Sequence, residues 1–123
     1  MNLGKPVTFL ATTDPQRASA FYTQVVGLRL LGDDGFGVLF DNFGVRLRIS
    51  RVEQLSPAPY TVLGWEVADI DATVAELGRR GAVLQRYAFL EQDAAGVWSA
   101  PGGAKVAWFL DPDGNVLSVT QGA

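Results

Sequence analysis

The chain has 123 residues, enough for one ordinary domain, and its hydrophobic content of 48% is sufficient for a packed core. Its formal net charge of −3 has the wrong sign for a surface that holds nucleic acid mainly through phosphate contacts. Cysteine and histidine are both absent, which excludes disulfides, thiolate nucleophiles, histidine general bases and metal sites built with either residue.

The N-terminal residues 1–6 lack the basic and apolar regions of a signal peptide, and no segment approaches the roughly 18 apolar residues of a membrane span. We therefore expect an intracellular, cytoplasmic protein that contacts neither membranes nor nucleic acid. A chain without cysteine is compatible with the cytosol but does not require it.

A weak internal repeat organises the chain. Residues 7–14 (VTFLATTD) correspond to residues 62–69 (VLGWEVAD), and each is an apolar stretch that ends in an aspartate suited to cap a helix. Apolar residues then recur at helical spacing in both halves: Ala18, Phe21, Tyr22 and Val25 in the first, and Ile70, Val74 and Leu77 in the second. Gly27 and Gly81 end the two predicted helices.

Strand-like segments separated by turn residues follow each predicted helix. They cover residues 28–31, 36–40 and 45–50 in the first half, and residues 82–89, 97–98, 105–110 and 116–120 in the second. The predicted fold class is α+β, with two βαβββ modules in a single domain. The modules span residues 1–51 and 60–121, joined by a linker at 52–59 that Pro57 and Pro59 stiffen.

Alternation along the strands predicts one face packed under a helix and one face in contact with solvent or a cavity. In residues 45–50 the apolar Val45, Leu47 and Ile49 alternate with Arg46, Arg48 and Ser50. The same pattern places Glu66 and Ser118 on the partly polar face of the second sheet. We expect a ligand to bind on these polar faces.

Several motifs together resemble the vicinal oxygen chelate superfamily, which includes glyoxalase I, extradiol dioxygenases, fosfomycin resistance enzymes and bleomycin resistance proteins. Residues 14–22 (DPQRASAFY) with 27–28 (GL) are similar to its first-half signature, with Ala18 at the usual serine position. Residues 65–69 (WEVAD) and 108–115 (WFLDPDGN) are similar to its second-half signature. The resemblance implies two βαβββ modules that form an incomplete barrel around a cleft, usually in dimers.

Enzymes of this superfamily hold a divalent metal with histidine and glutamate side chains. The resemblance places those positions on Val7, Val62, Ser118 and Arg48, with Arg46 as the neighbouring alternative on the same face. Aliphatic, hydroxyl and cationic side chains do not form a site for a divalent cation. We therefore predict no metal, and no other cofactor, at the family site.

An arginine at a metal position offers a fixed cation to a ligand carboxylate or phosphate. The alternative is that Arg48 pairs with Glu66 or lies at a solvated sheet edge. Aromatic residues of the hairpin regions, namely Phe36, Tyr87, Phe89, Trp98 and Trp108, are expected to line the cleft or to belong to the core. Trp98 is the preferred ligand contact because small residues precede it, whereas Phe21 and Trp65 are expected in the core.

The predicted ligand-binding residues are Val7, Arg46, Arg48, Val62, Glu66, Trp98, Trp108 and Ser118. No catalytic residue is assigned. The preferred function is that of a metal-free binding protein, similar to bleomycin resistance proteins, that captures a small organic molecule in an aromatic-lined cleft as a homodimer. The alternative is a divergent enzyme of the same superfamily, a glyoxalase-like lyase or isomerase that acts on a small metabolite.

Overall fold

The first half of the chain forms a four-stranded mixed sheet with one helix in the computed structural model, which describes residues 1–123. Its elements are β1 (Val7–Thr12), α1 (Pro15–Phe21), β2 (Arg29–Asp33), β3 (Gly37–Asn42) and β4 (Val45–Arg51). The strand order is β1-β4-β3-β2, with β1 parallel to β4 and the other pairs antiparallel.

Helix α1 begins where the sequence predicts, and its π-helical continuation ends at the predicted Gly27. The side chain of Asp14 accepts a hydrogen bond from the backbone N–H of Arg17 at 3.2 Å, and a proline occupies the first turn. One π-helical turn, Tyr22–Val26, continues the helix and ends at Gly27, which has a left-handed φ of +86°. Tyr22 is fully buried and lies 5.9 Å from Phe40, measured between ring centroids.

The second half repeats this arrangement. Its elements are β5 (Thr61–Glu66), α2 (Ile70–Arg79), β6 (Trp98–Ser99), β7 (Lys105–Leu110) and β8 (Val116–Gln121). The strand order is β5-β8-β7-β6, and β5 is parallel to β8. Asp69 caps α2, which buries Ile70, Val74 and Leu77 as predicted. The fold is therefore α+β with two βαβββ modules, as expected from the repeat.

The two modules are compact units, Met1–Ser56 and Pro57–Ala123, and their boundary lies within the predicted linker. Neither helix is long and apolar enough to cross a bilayer.

The predicted strand at residues 82–89 is wrong. Only Leu84 forms an isolated bridge, to Phe109, and the backbone N–H of Gln85 donates to the carbonyl of Trp108. The chain then leaves the edge of β7 and follows an irregular path until β6. Strand β6 pairs with β7 and forms the edge strand in place of residues 82–89. Side-chain hydrogen bonds from the following loop, described below, satisfy backbone groups that a strand would have paired.

The predicted alternation is confirmed on β4, where Leu47 and Ile49 are fully buried while Arg46 is exposed. We call the sheet face opposite the helix the open face. On the first sheet, it carries Val7, Arg46, Asp41 and Arg29 in one row, and Phe9, Arg48, Leu39 and Gly32 in the next. On the second sheet, it carries Gly64, Ser118 and Trp108 in one row, and Glu66, Thr120, Val106 and Trp98 in the next.

Phe21 and Trp65 are half-buried. Phe21 packs edge-on against Tyr22, and Trp65 stacks on the buried Phe109 with ring centroids 6.4 Å apart. Both rings contact a buried ring of their module, but they lie at the margin of the core, whereas the sequence predicts them within it.

Candidate functional site

Arg48 lies on the open face of the first sheet, with its guanidinium held by Asp34. Nη1 donates to Oδ2 of Asp34 at 2.9 Å and Nη2 donates to Oδ1 at 3.3 Å. Asp34 belongs to the β2–β3 hairpin turn, where its Oδ1 also accepts from the backbone N–H groups of Phe36 and Gly37. The partner of Arg48 is therefore a carboxylate of the adjacent hairpin, rather than Glu66, the candidate partner named from the sequence.

This pair shifts the titration of the carboxyl group. The hydrogen bond from Arg48, followed by that from the backbone N–H of Phe36, lowers the pKa of Asp34 below its ordinary value of 3.8. The ion pair is partly exposed, so its contribution to stability is small. Its main effect is to fix the direction of the Arg48 side chain.

Arg46, rather than Arg48, lies directly beside Val7 in the parallel β1–β4 register. On its other side it faces Asp41 of β3. The carboxylate of Asp41 accepts from the backbone N–H of Gly44 at 2.9 Å and lies 3.4 Å from Nη2 of Arg29. The Arg46 side chain has neither a hydrogen bond nor an ion pair. It is therefore the open-face arginine available to a ligand.

On the second sheet, Ser118 lies between Gly64 and Trp108 in the register. The residue is only 7% exposed. A Cβ atom added to Gly64 would lie 2.8 Å from the Ser118 Oγ, so the hydroxyl occupies the space that a side chain at position 64 would take. Val62, earlier on β5, is partly exposed, and Glu66 is exposed beside Thr120.

Four rings of the second module form a chain of contacts, and we call them the aromatic cluster: Tyr87, Phe89, Trp98 and Trp108. The centroids of Trp98 and Trp108 are 6.1 Å apart, and Tyr87 meets Trp108 edge-on at 5.4 Å. Phe89 continues the cluster at 5.6 Å from Tyr87 and is 82% exposed. The structure thus brings together four of the five aromatic residues that the sequence analysis named in the hairpin regions, whereas the fifth, Phe36, belongs to the first module and is exposed.

Gln92 holds this loop in place. Its Nε2 donates to the carbonyls of Gln85 and Gly96 at 2.9 and 2.7 Å, and its Oε1 accepts from the backbone N–H of Tyr87 at 2.8 Å. These bonds fix the backbone at Tyr87 and so position its ring on Trp108. Sequence reasoning missed Gln92, because a glutamine between two acidic residues has the pattern of a solvated loop.

The glyoxalase-like domain family model matches residues 7–120, nearly the whole chain. The chain belongs to this family. It is a branch of the vicinal oxygen chelate superfamily, as the sequence motifs indicated. No protein of curated function matches the sequence significantly.

Solved structures share the fold at low sequence identity. The fosfomycin resistance protein FosX from Listeria monocytogenes has a TM-score of 0.76 at 14% identity, covering 100% of this chain and 96% of that one. A lactoylglutathione lyase from Agrobacterium tumefaciens has a TM-score of 0.73 at 19% identity, covering 99% and 96%. A glyoxalase/bleomycin resistance protein/dioxygenase from Nocardioides has a TM-score of 0.71 at 20% identity, covering 98% and 85%.

The resemblance assigns the metal ligands of the superfamily to four positions of this chain, and the side chains at those positions do not suit a divalent cation. Val7 and Val62 have no donor atom, and Ser118 offers one neutral hydroxyl. Arg48 is a cation that already donates to Asp34. Elsewhere in the chain, no three histidine, cysteine, aspartate or glutamate side chains converge closely enough to hold a metal. The donor set does not fit a divalent ion.

We predict that Arg48→Gln will raise the pKa of Asp34 toward its ordinary value, because the charged hydrogen-bond donor that chiefly lowers this pKa is removed. In the wild type the folded-state pKa lies below the unfolded one. The stability contributed by the pair is therefore present above the unfolded-state pKa and lost as the pH falls through the folded-state pKa. Carboxyl-carbon NMR over the acidic pH range measures the pKa of Asp34 in the wild type and in Arg48→Gln.

Arg29→Gln is the matched control, since it removes the other arginine–aspartate pair of the same sheet and should leave the titration of Asp34 unchanged. An identical Asp34 pKa in the wild type and in Arg48→Gln would contradict the assignment.

Proposed function

We propose that this glyoxalase-like protein captures a small organic molecule by stacking it against the aromatic cluster, without a bound metal. The observation that carries the proposal is the chain of ring contacts from Trp108 through Tyr87 to the exposed Phe89. Aromatic faces add about 0.5–1.5 kcal/mol per stacked pair beyond the area they bury. A flat or extended organic ligand suits such a surface.

A pocket beside the aromatic cluster has the size of a small-molecule site. Its volume is about 590 Å³, and Phe89 and Trp98 contribute to its wall. Glu91 and Ser99 add a carboxylate and a hydroxyl to the same lining, which provide polar contacts for orientation. Trp98 and Phe89 line this pocket and Trp108 does not, so Trp98 and Phe89 are the rings that we expect the ligand to contact.

Capture is favoured over turnover by the chemistry of the open faces. The resemblance implies that enzymes of the superfamily use a metal to polarise substrate oxygens, and the corresponding positions of this chain carry no suitable donors. The carboxylate of Asp34 on the first module accepts from Arg48 and from the backbone N–H of Gly37, which stabilises its ionised form and makes it a poor proton donor. Proteins of similar fold include a fosfomycin resistance protein and a glyoxalase/bleomycin resistance protein/dioxygenase, so antibiotics are suitable probes, along with planar metabolites.

Binding of 2-naphthol, a neutral planar probe, tests the stacking surface. We expect Trp98→Ala to weaken its binding about fivefold to tenfold, because one stacking partner is lost. Trp65→Phe is the matched control, since Trp65 stacks on Phe109 within the core and its replacement should leave the affinity unchanged. Isothermal titration calorimetry measures both variants.

Equal affinity of Trp98→Ala and Trp65→Phe for 2-naphthol would contradict the proposal. Ligands found in a thermal-shift screen of antibiotics and metabolites are then recovered and analysed by mass spectrometry. Unchanged ligand supports capture, whereas conversion to a product supports the alternative of a lyase or isomerase.

We also propose that the protein is a homodimer that uses the edge of the first sheet. Strand β1 is an edge strand, and Phe9 on its open face is 66% exposed, which is unusual for a phenylalanine in the middle of a strand.

We expect Phe9→Glu to shift the protein toward monomer in analytical ultracentrifugation, because the charge would be buried in the interface. Val83→Glu, at an exposed apolar position outside the strands, should leave the dimer intact. A monomeric wild type would refute this proposal.

A further inference from the structure

We infer that the first module carries a separate site for an organic oxyanion, a carboxylate or phosphate ester. The site is a pocket of about 510 Å³ whose lining includes Lys5, Arg29 and Arg46. None of these residues belongs to the aromatic cluster, and the inference goes beyond the proposed capture of an organic molecule by that cluster.

The strand register builds the pocket. Val7, Arg46, Asp41 and Arg29 follow one another across the four strands, in the order β1-β4-β3-β2. Residues opposite one another in neighbouring strands point to the same face, so both guanidinium groups belong to one row of the open face. Lys5, two residues before Val7, adds an ammonium group to the pocket lining.

The charges of this pocket are not balanced. Three cationic side chains share it with a single carboxylate, that of Asp41, in a chain whose overall charge is −3. Asp41 already accepts from the backbone N–H of Gly44 and contacts Arg29 at 3.4 Å, whereas Arg46 has no side-chain partner. A bound anion would relieve the repulsion between these cations and satisfy the guanidinium of Arg46.

The remaining walls indicate that the anion belongs to an organic molecule. Pro6, Val7 and Leu31 contribute apolar surface to the pocket. Leu30 and Gly32 pair with consecutive residues of β3, so Leu31 between them forms a β-bulge. A bulge changes the direction of the side chain at the extra residue. A guanidinium presents two parallel N–H groups that match two oxygens of a carboxylate or phosphate. The ligand therefore combines an oxyanion with a small apolar group.

The test uses phenyl phosphate, benzoate and inorganic phosphate as probes, titrated into the full-length protein at low ionic strength and followed by amide NMR. We expect saturable shifts at Gly44 and Arg46 for phenyl phosphate or benzoate, with weaker binding of inorganic phosphate. The tighter of the two aromatic probes assigns the anionic group as phosphate or carboxylate. Added salt should weaken binding, because the charges of the pocket are exposed to solvent.

Two variants change the affinity in opposite directions. Arg46→Gln should weaken phenyl phosphate about tenfold, because a charge-assisted bidentate contact is lost. Asp41→Asn should tighten it about threefold, since the competing negative charge is removed while the amide oxygen still accepts from Gly44. Arg51→Gln is the matched control, on the same strand but the opposite face, and should bind like the wild type.

The inference is overturned if the wild type shows no saturable shifts, or if Arg46→Gln and Arg51→Gln bind phenyl phosphate equally well. Inorganic phosphate that binds as tightly as phenyl phosphate would overturn the assignment to an organic ligand. Binding of 2-naphthol to Arg46→Gln is measured in parallel. Its retention separates a failure of the oxyanion site from a failure of the aromatic cluster.

Discussion

Both candidate sites depend on the sheet face that the single helix of each module leaves open, in a sheet whose first strand pairs in parallel with its last, β1 with β4 and β5 with β8. Each module has one helix, which covers one face of its sheet, and strand alternation sends every second side chain to the other face. Substitutions on the open face therefore change the chemistry of the protein with little effect on the core. The fold is that of the glyoxalase-like family, and the positions that the resemblance assigns to metal ligands carry side chains that do not fit a divalent ion.

The two open faces have taken different chemistry. On the first sheet, arginines and aspartates alternate, and the Arg48–Asp34 pair fixes one cation while Arg46 stays unpaired. On the second sheet, Ser118 occupies the space above Gly64, and the neighbouring rings of Trp98 and Trp108 provide the larger surface. An ion requires several donors that converge on one point, whereas stacking requires only exposed flat surface. Stacking on the aromatic rings therefore needs neither histidine nor cysteine, the two residue types that this chain lacks.

Much of this fold follows from local signals in the sequence. Aspartate caps and helical spacing located both helices, and alternation assigned Arg46 and Arg48 to the same face. Alternation fixes the face of a residue but not its register, because positions two apart are equivalent in a pattern of period two. It therefore could not decide which arginine lies beside Val7. The partner of Arg48 and the irregular path at residues 82–89 depend on contacts of Asp34 and Gln92 that form only in the folded chain.

The central claim is that this scaffold binds its ligand without a metal, and ligand affinity before and after metal removal tests it most directly. Protein treated with a chelator is compared with protein supplemented with zinc, nickel or manganese, and metal content is measured by mass spectrometry in each sample. The account predicts equal dissociation constants for 2-naphthol and no stoichiometric metal in any sample. A stoichiometric metal whose removal abolishes binding would contradict it.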